Sequence, residues 1–262
     1  MKSNAFFHGL SKTKFVVYCS LMLAVSMILK LIFEIYFPLG GSLSLRLNLT
    51  AIPIYLSGML FGPGAGCLVG IFSDIFCHLI KPAGPYFIGL TITSGLSGLI
   101  PGIMIALIQR FKIKHYSLIN TLLVIGSCSA FFFCNSFSFS SGQIQFNGEA
   151  INYWLIGALV ILMIGFILFP KLYTKIKEKK NNQNNAFIPG DALFFIVSIT
   201  QLIVSVIGNT ICLMILYGQA VAVLLPARII TNFFLIPIYT IILAALLKFT
   251  PKNLLPKSSA DK

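Results

Sequence analysis

Long apolar stretches cut by short polar joints set the pattern of this chain. Mostly apolar runs cover 15–36, 50–61, 65–80, 88–108, 118–137, 153–169, 192–216 and 224–247. Several approach the roughly 20 residues that carry a helix across a bilayer core. The second and third runs are short, and Gly62-Pro63-Gly64 forces a turn between them. The joint 37–48 opens with the turn formers Pro38, Gly40 and Gly41. Leu43, Leu45, Leu47 and Leu49 then alternate with Ser44, Arg46 and Asn48. That period of two predicts a short extended segment lying over the helices, with Arg46 on its polar side. The joint 81–87 is rich in proline, and its Tyr86 and Phe87 suit a membrane interface or a flat ligand. The segment 136–149 reads as a polar connector, and 171–185 as a basic, asparagine-rich one.

Composition sharpens this picture. The chain is 57% hydrophobic and only 10% charged, against about 25% charged residues in a soluble domain. Such a chain lacks the polar surface to cover a water-facing globule. The expected fold class is an all-α polytopic membrane protein, one integral membrane domain over residues 1–262 with about eight transmembrane spans. Lys2, Lys12 and Lys14 precede an apolar run without a small-residue cleavage site, so the first run reads as a retained helix.

The formal net charge of +13 would suit nucleic acid, but its distribution points elsewhere. With eight spans both termini share a side. Lys2, Lys12, Lys14, Arg110, Lys112, Lys114, Lys171, Lys175, Lys177, Lys179, Lys180, Lys248, Lys252, Lys257 and Lys262 all fall on it. The positive-inside rule makes that side cytoplasmic and the protein a multi-pass component of the cell membrane. The basic balance is then a topology signal and calls for no nucleic acid. Lys30, Arg46, Lys81 and Arg228 lie outside against the rule. An anionic ligand captured from outside is one reason for them. Local pairing, Lys30 with Glu34 or Arg46 with an aspartate or carbonyl, is the other.

Enzyme chemistry finds little support. The six cysteines form no CxxC pair, His8, His78 and His115 are scattered, and no metal or cofactor cluster is visible. The glycines of 62–70 have the wrong spacing for a dinucleotide loop. Gly95-Leu96-Ser97-Gly98 matches the GxSG pattern of intramembrane serine proteases, but the one later histidine, His115, sits in a basic turn. No Walker A pattern is present, so ATP hydrolysis is expected only in partner subunits. Asp74 and His78, four apart, read as a hydrogen-bonded packing pair before a proton relay. Ser20 and Ala24 form a small-xxx-small pair that lets another helix approach closely.

The ordered motifs Leu45-Arg46, Gly58-Met59-Leu60-Phe61-Gly62-Pro63, Asp74, Pro82-x-Gly84-Pro85-Tyr86-Phe87, Asn209-Thr210 and Leu225-Pro226-x-Arg228 are recognisable together. The chain resembles the substrate-binding S components of energy-coupling factor (ECF) vitamin transporters, most of all the folate-specific group. The resemblance implies a six-helix core, with 15–110 as core helices one to four and 191–248 as helices five and six. The stretch 118–170 would be an inserted two-helix hairpin. It also implies a complex with a transmembrane coupling subunit, docked on Ser20 and Ala24, and two cytoplasmic ATPases.

A folate-like ligand carries carboxylates and a flat pterin. Arg46 and Arg228 suit the carboxylates, since a guanidinium binds them bidentately. Tyr86 and Phe87 would stack on the ring, Asn209 and Thr210 would read its edge, and Lys30 would be a further anion contact. Asp74 is taken as structural. An S component for another small vitamin or precursor, and a stand-alone ion-coupled transporter, remain as alternatives.

Overall fold

The computed structural model describes residues 11–33, 49–82, 84–111, 189–218 and 221–250. It also describes the strand backbones within 35–47 and 137–150 and isolated positions between 116 and 168. Helix α1 spans Lys12–Phe33, followed by strands β1, Ile35–Leu39, and β2, Ser42–Leu47. Then come α2, Ala51–Phe61, α3, Pro63–Ile80, and α4, Ile88–Phe111. Strands β3, Phe137–Ser140, β4, Gln143–Phe146, and β5, Glu149–Ala150, precede α5, Gly190–Gln201. A π-helical segment, Leu202–Gly208, continues into α6, Asn209–Tyr217, and α7 runs Val221–Phe249.

Among the described residues, five helical stretches are long and apolar enough to cross a membrane: α1, α3, α4, the continuous run from α5 to α6, and α7. The outward faces of these helices carry Val16, Leu21, Ile28, Leu68, Ile92, Ile211 and Ile241, all exposed. Apolar surface on that scale, unburied by protein, is what lipid covers. The helix α2 differs. Its 11 residues rise only about 16 Å, half a bilayer core. Ile52 through Phe61 are all buried, because a helix apolar on every side belongs in an interior. The apolar run 153–169 lies almost wholly outside the described residues, as does more than half of 118–137.

The extended segment expected near 43–49 is the second arm of a hairpin. The strand β2 pairs antiparallel with β1, setting Arg46 opposite Tyr36, and it lies against α7. The connector 136–149 also forms strands, with β3 against β4 and β4 against β5. The alternation in Ser-Phe-Ser-Phe-Ser and Gln-Ile-Gln-Phe around Ser141-Gly142 carries that hairpin signal.

Glycine decides how α2, α3 and α4 meet. Lipid tails are as apolar as leucine, so helices in a membrane associate through close backbone packing. Gly58, Gly66, Gly98 and Gly102 form one seam. A Cβ on Gly98 would overlap the Gly66 carbonyl, and one on Gly102 would lie 2.6 Å from Pro63 N. Gly70 meets the backbone of Ser94 in the same way. Gly62, at φ 96, makes the turn between α2 and α3 that a side chain would strain.

The half of the bundle toward the end of α2 is filled by Tyr55, Met59, Phe61, Phe194, Ile196, Val197, Tyr239 and Leu243. The α1 helix joins it through Phe15 and Tyr18, whose rings lie 6.0 and 5.9 Å from that of Phe61. Tyr116 and Ile119 pack on Ala192 and Phe195 of α5 and Met104 and Ile108 of α4.

Candidate functional site

A cavity of about 160 Å³ opens in the other half. It lies toward the ends of α1 and α3, the starts of α2 and α4, the π-helical segment with the first half of α6, and α7, so its lining comes from every described helix. The apolar core closes the bundle behind it. Lys30, Thr50, Asp74, Thr93, Ser94, Ser97, Gln201, Ser205, Asn209, Arg228 and Tyr239 supply its polar lining.

The wall formed by α1, α3 and α4 is ionic. Lys30 Nζ lies 3.0 Å from Asp74 Oδ1, and the side chains are 20% and 16% exposed. Thr91 Oγ1 donates to Asp74 Oδ2 at 2.8 Å, and the Tyr86 hydroxyl is 3.0 Å from Thr91 Oγ1. This chain ties the 81–87 joint to three helices. One turn deeper, Ser26 Oγ meets Ser73 Oγ at 2.8 Å, which fixes α1 against α3 at a height that puts Lys30 beside Asp74.

The wall formed by α5, α6 and α7 depends on the π-helical segment. One extra residue per turn rotates the helix beyond it, and such segments occur frequently at functional sites. Here it brings Asn209 to Thr93, whose hydroxyl lies 2.7 Å from Asn209 Oδ1. It also presents the Ser205 carbonyl to Arg228, whose Nη1 donates to it at 3.1 Å. Arg228 is buried. With two cations and one carboxylate, the described lining carries a net charge of +1. Thr50 Oγ1, at the start of α2, is buried with no hydrogen-bond partner. Both amide atoms of Asn232, one turn from Arg228 on α7, are in the same position. Buried polar atoms of this kind call for a partner.

The residues expected from sequence are distributed unevenly. Lys30, Asn209 and Arg228 line the cavity. Tyr86 is half exposed and reaches it through Thr91, with Phe87 beside it. Thr210 is buried next to Asn209 but does not line the cavity. The side chain of Arg46 lies outside the described residues. Ser20 and Ala24 are both exposed along α1 and are not part of the cavity lining.

Lys30 takes Asp74 as a partner, and the expected pairing with Glu34 lies outside the described residues. One expected pairing is corrected. Asp74 and His78 are not a hydrogen-bonded pair. The carboxylate goes to Lys30 and Thr91, while the His78 ring lies 5.2 Å from that of Tyr86. The sequence reading missed Thr50, Thr93, Ser97 and Ser205 as lining. Thr93 and Ser97, four apart in an apolar helix, were a signal that could have placed them on one face.

Known proteins point in the same direction. A curated relative, the folate transporter FolT of Clostridium novyi (strain NT), is 28% identical over 117 residues. That match spans 45% of this chain and 62% of the relative's length. The crystal structure of FolT bound with folic acid is similar with a TM-score of 0.51 and 16% identity, over 92% of this chain and 96% of that one, which shows the shared fold. Residues 10–178 match the family model described as ECF-type riboflavin transporter, S component. That match takes in more than half of the chain, and the protein belongs to this family of ECF transporter S components.

Proposed function

We propose that this protein is the substrate-binding membrane subunit of an ATP-driven ECF vitamin importer and that its ligand is folate. The observation that carries the reading is the cavity at one end of the bundle, closed behind by apolar packing and lined by Lys30, Asp74, Asn209 and Arg228. Folate is an anion with a flat heterocycle. A cavity with net positive charge and several amide and hydroxyl groups complements it, and the named relative is a folate transporter.

The cavity volume of about 160 Å³ is below the 300–1,000 Å³ usual for a whole drug-sized ligand. The cavity therefore takes one end of the molecule, the ring. The carboxylate end lies outward, toward the β1–β2 hairpin and the 81–87 joint. Arg228 and Arg46 hold negative charge toward the rim, with Lys30, paired to Asp74 on the cavity wall, as a lesser anion contact; Tyr86 and Phe87 cover the ring, and Asn209 contributes hydrogen bonds with Thr210 behind it. In this reading the six-helix core is α1, α2, α3, α4, the run α5 to α6, and α7. The 118–170 insertion adds two spans, giving eight, with both termini cytoplasmic. Ser20 and Ala24 dock the coupling subunit, and two cytoplasmic ATPases supply the energy.

A second reading is favoured by the name of the matched family: riboflavin in place of folate. Riboflavin has no carboxylate, so it makes no use of the positive rim. Equilibrium binding to purified protein separates the two. Submicromolar folate binding with riboflavin at least about 100-fold weaker is expected, a difference of roughly 2.7 kcal/mol. Tight riboflavin binding with no folate binding would reverse the assignment. Copurification with a coupling subunit and ATPases, and uptake that stops without ATP hydrolysis, tests the transporter reading separately.

A further inference from the structure

Asp74 is the strongest hydrogen-bond acceptor on the cavity wall, and the ion pair with Lys30 does not use it up. An ionised carboxylate offers about four acceptor positions on two oxygens. Lys30 takes one on Oδ1 at 3.0 Å, and Thr91 takes one on Oδ2 at 2.8 Å. One position on each oxygen is left, and the residue lines the cavity. Lys30 and Thr91 both donate, so they hold the carboxylate in one orientation without competing as acceptors. The Ser26–Ser73 contact beneath locks α1 to α3, which keeps that orientation fixed. The glycine seam already holds α3 against α4 and the Ser26–Ser73 contact holds α1 against α3, so the carboxylate is not needed merely to close the helices.

Two parallel acceptors select two parallel donors. A 2-amino-4-oxopyrimidine ring, the outer half of a pterin, shows a ring N–H beside an exocyclic NH2 along one edge. Both can donate to one carboxylate, and hydrogen bonds to an ionised acceptor are the strong ones. The corresponding edge of a flavin shows a single N–H between two carbonyls. Against a carboxylate it gains one hydrogen bond and sets carbonyl oxygens against carboxylate oxygens, which is the repulsive element that specificity needs. We infer that Asp74, held by Lys30 and Thr91, reads the aminopyrimidinone edge of the ligand and sets the preference of this site for a pteridine over a flavin. The inference rests on the folate reading above and adds to it the group that discriminates.

The test compares folate with its 2-oxo analogue, in which the exocyclic amine is replaced by a carbonyl, by equilibrium binding to the purified full-length protein. The wild type should favour folate by tenfold or more, since a site built around a donor rejects the ligand that lacks it. Asp74→Asn, which swaps one acceptor for a donor, should weaken folate by at least about tenfold and bring the two ligands within about threefold. A purely structural aspartate would weaken both alike and leave their ratio unchanged, and that result overturns the inference. Lys30→Met/Asp74→Asn removes both charges and reports the same ratio if the single variant does not fold. A wild type that binds the two pteridines equally also overturns it. If the wild type binds folate and only the ratio fails to move, this inference falls and the folate reading stands. If the wild type binds riboflavin and neither pteridine, the folate reading itself has failed.

Discussion

Gly98→Ala tests whether the backbone seam between α3 and α4 sets the geometry of the cavity. The added Cβ would overlap the carbonyl group of Gly66 and come within 2.8 Å of Gly66 Cα. These are backbone atoms of a packed helix, not the end of a flexible side chain, so they cannot move aside alone. The α3 helix is held on the same side by Gly70 against Ser94, and α2 by Gly58 against Gly98. Overpacking costs about 1–3 kcal/mol, and a contact with rigid backbone on both sides belongs at the upper end. About 3 kcal/mol is roughly a hundredfold in the folded-to-unfolded ratio. Reversible unfolding in mild detergent measures it, with Gly64→Ala as the control. Gly64 is exposed at the start of α3, and a Cβ there meets nothing within 4 Å. Its substitution should change stability by under about 1 kcal/mol. Because α4 carries Thr93 and Ser97 into the cavity, Gly98→Ala should also weaken ligand binding. A Gly98→Ala protein as stable as the Gly64→Ala control would refute the reasoning.

Arg228→Ala should weaken folate at least about tenfold, and Arg228→Lys should recover only part of that, because lysine lacks the bidentate fork; full recovery in isothermal titration would reduce the residue to a point charge. Arg46→Ala should lose at least about 1.4 kcal/mol in the same titration, and unchanged affinity would remove it from the site. Ser20→Leu with Ala24→Leu should leave vitamin binding intact and abolish copurification of the coupling subunit; retained copurification would move the docking surface off this face of α1. Tyr86→Phe removes the hydroxyl that meets Thr91, which should cost about 1 kcal/mol and speed ligand release; an unchanged release rate would show that this contact does not hold the joint in place.

The membrane character of the chain was legible without a structure, because span length and apolar content are properties of local sequence. So were the ends of most helices: Gly62-Pro63, the proline-rich joint before Ile88 and Gly218 after Tyr217 punctuate the chain by local backbone chemistry. Arg228 stood out as a cation where charge is costly, and it does line the cavity. Which charges meet was not legible. Lys30 and Glu34 share a helix face by spacing, but Lys30 finds Asp74, 44 residues away, because the α1–α3 packing around Ser26 and Ser73 brings them to one height. The π-helical segment was equally hidden. Leu202–Gly208 reads as ordinary apolar helix, and only packing against α4 and α7 selects the wider turn that turns Asn209 toward Thr93 and Ser205 toward Arg228. Local sequence thus determined the helices and their environment. Tertiary contact alone decided that Asp74 faces a cavity, since a lone carboxylate in an apolar helix looks the same in sequence whether its neighbours are a packed wall or a ligand.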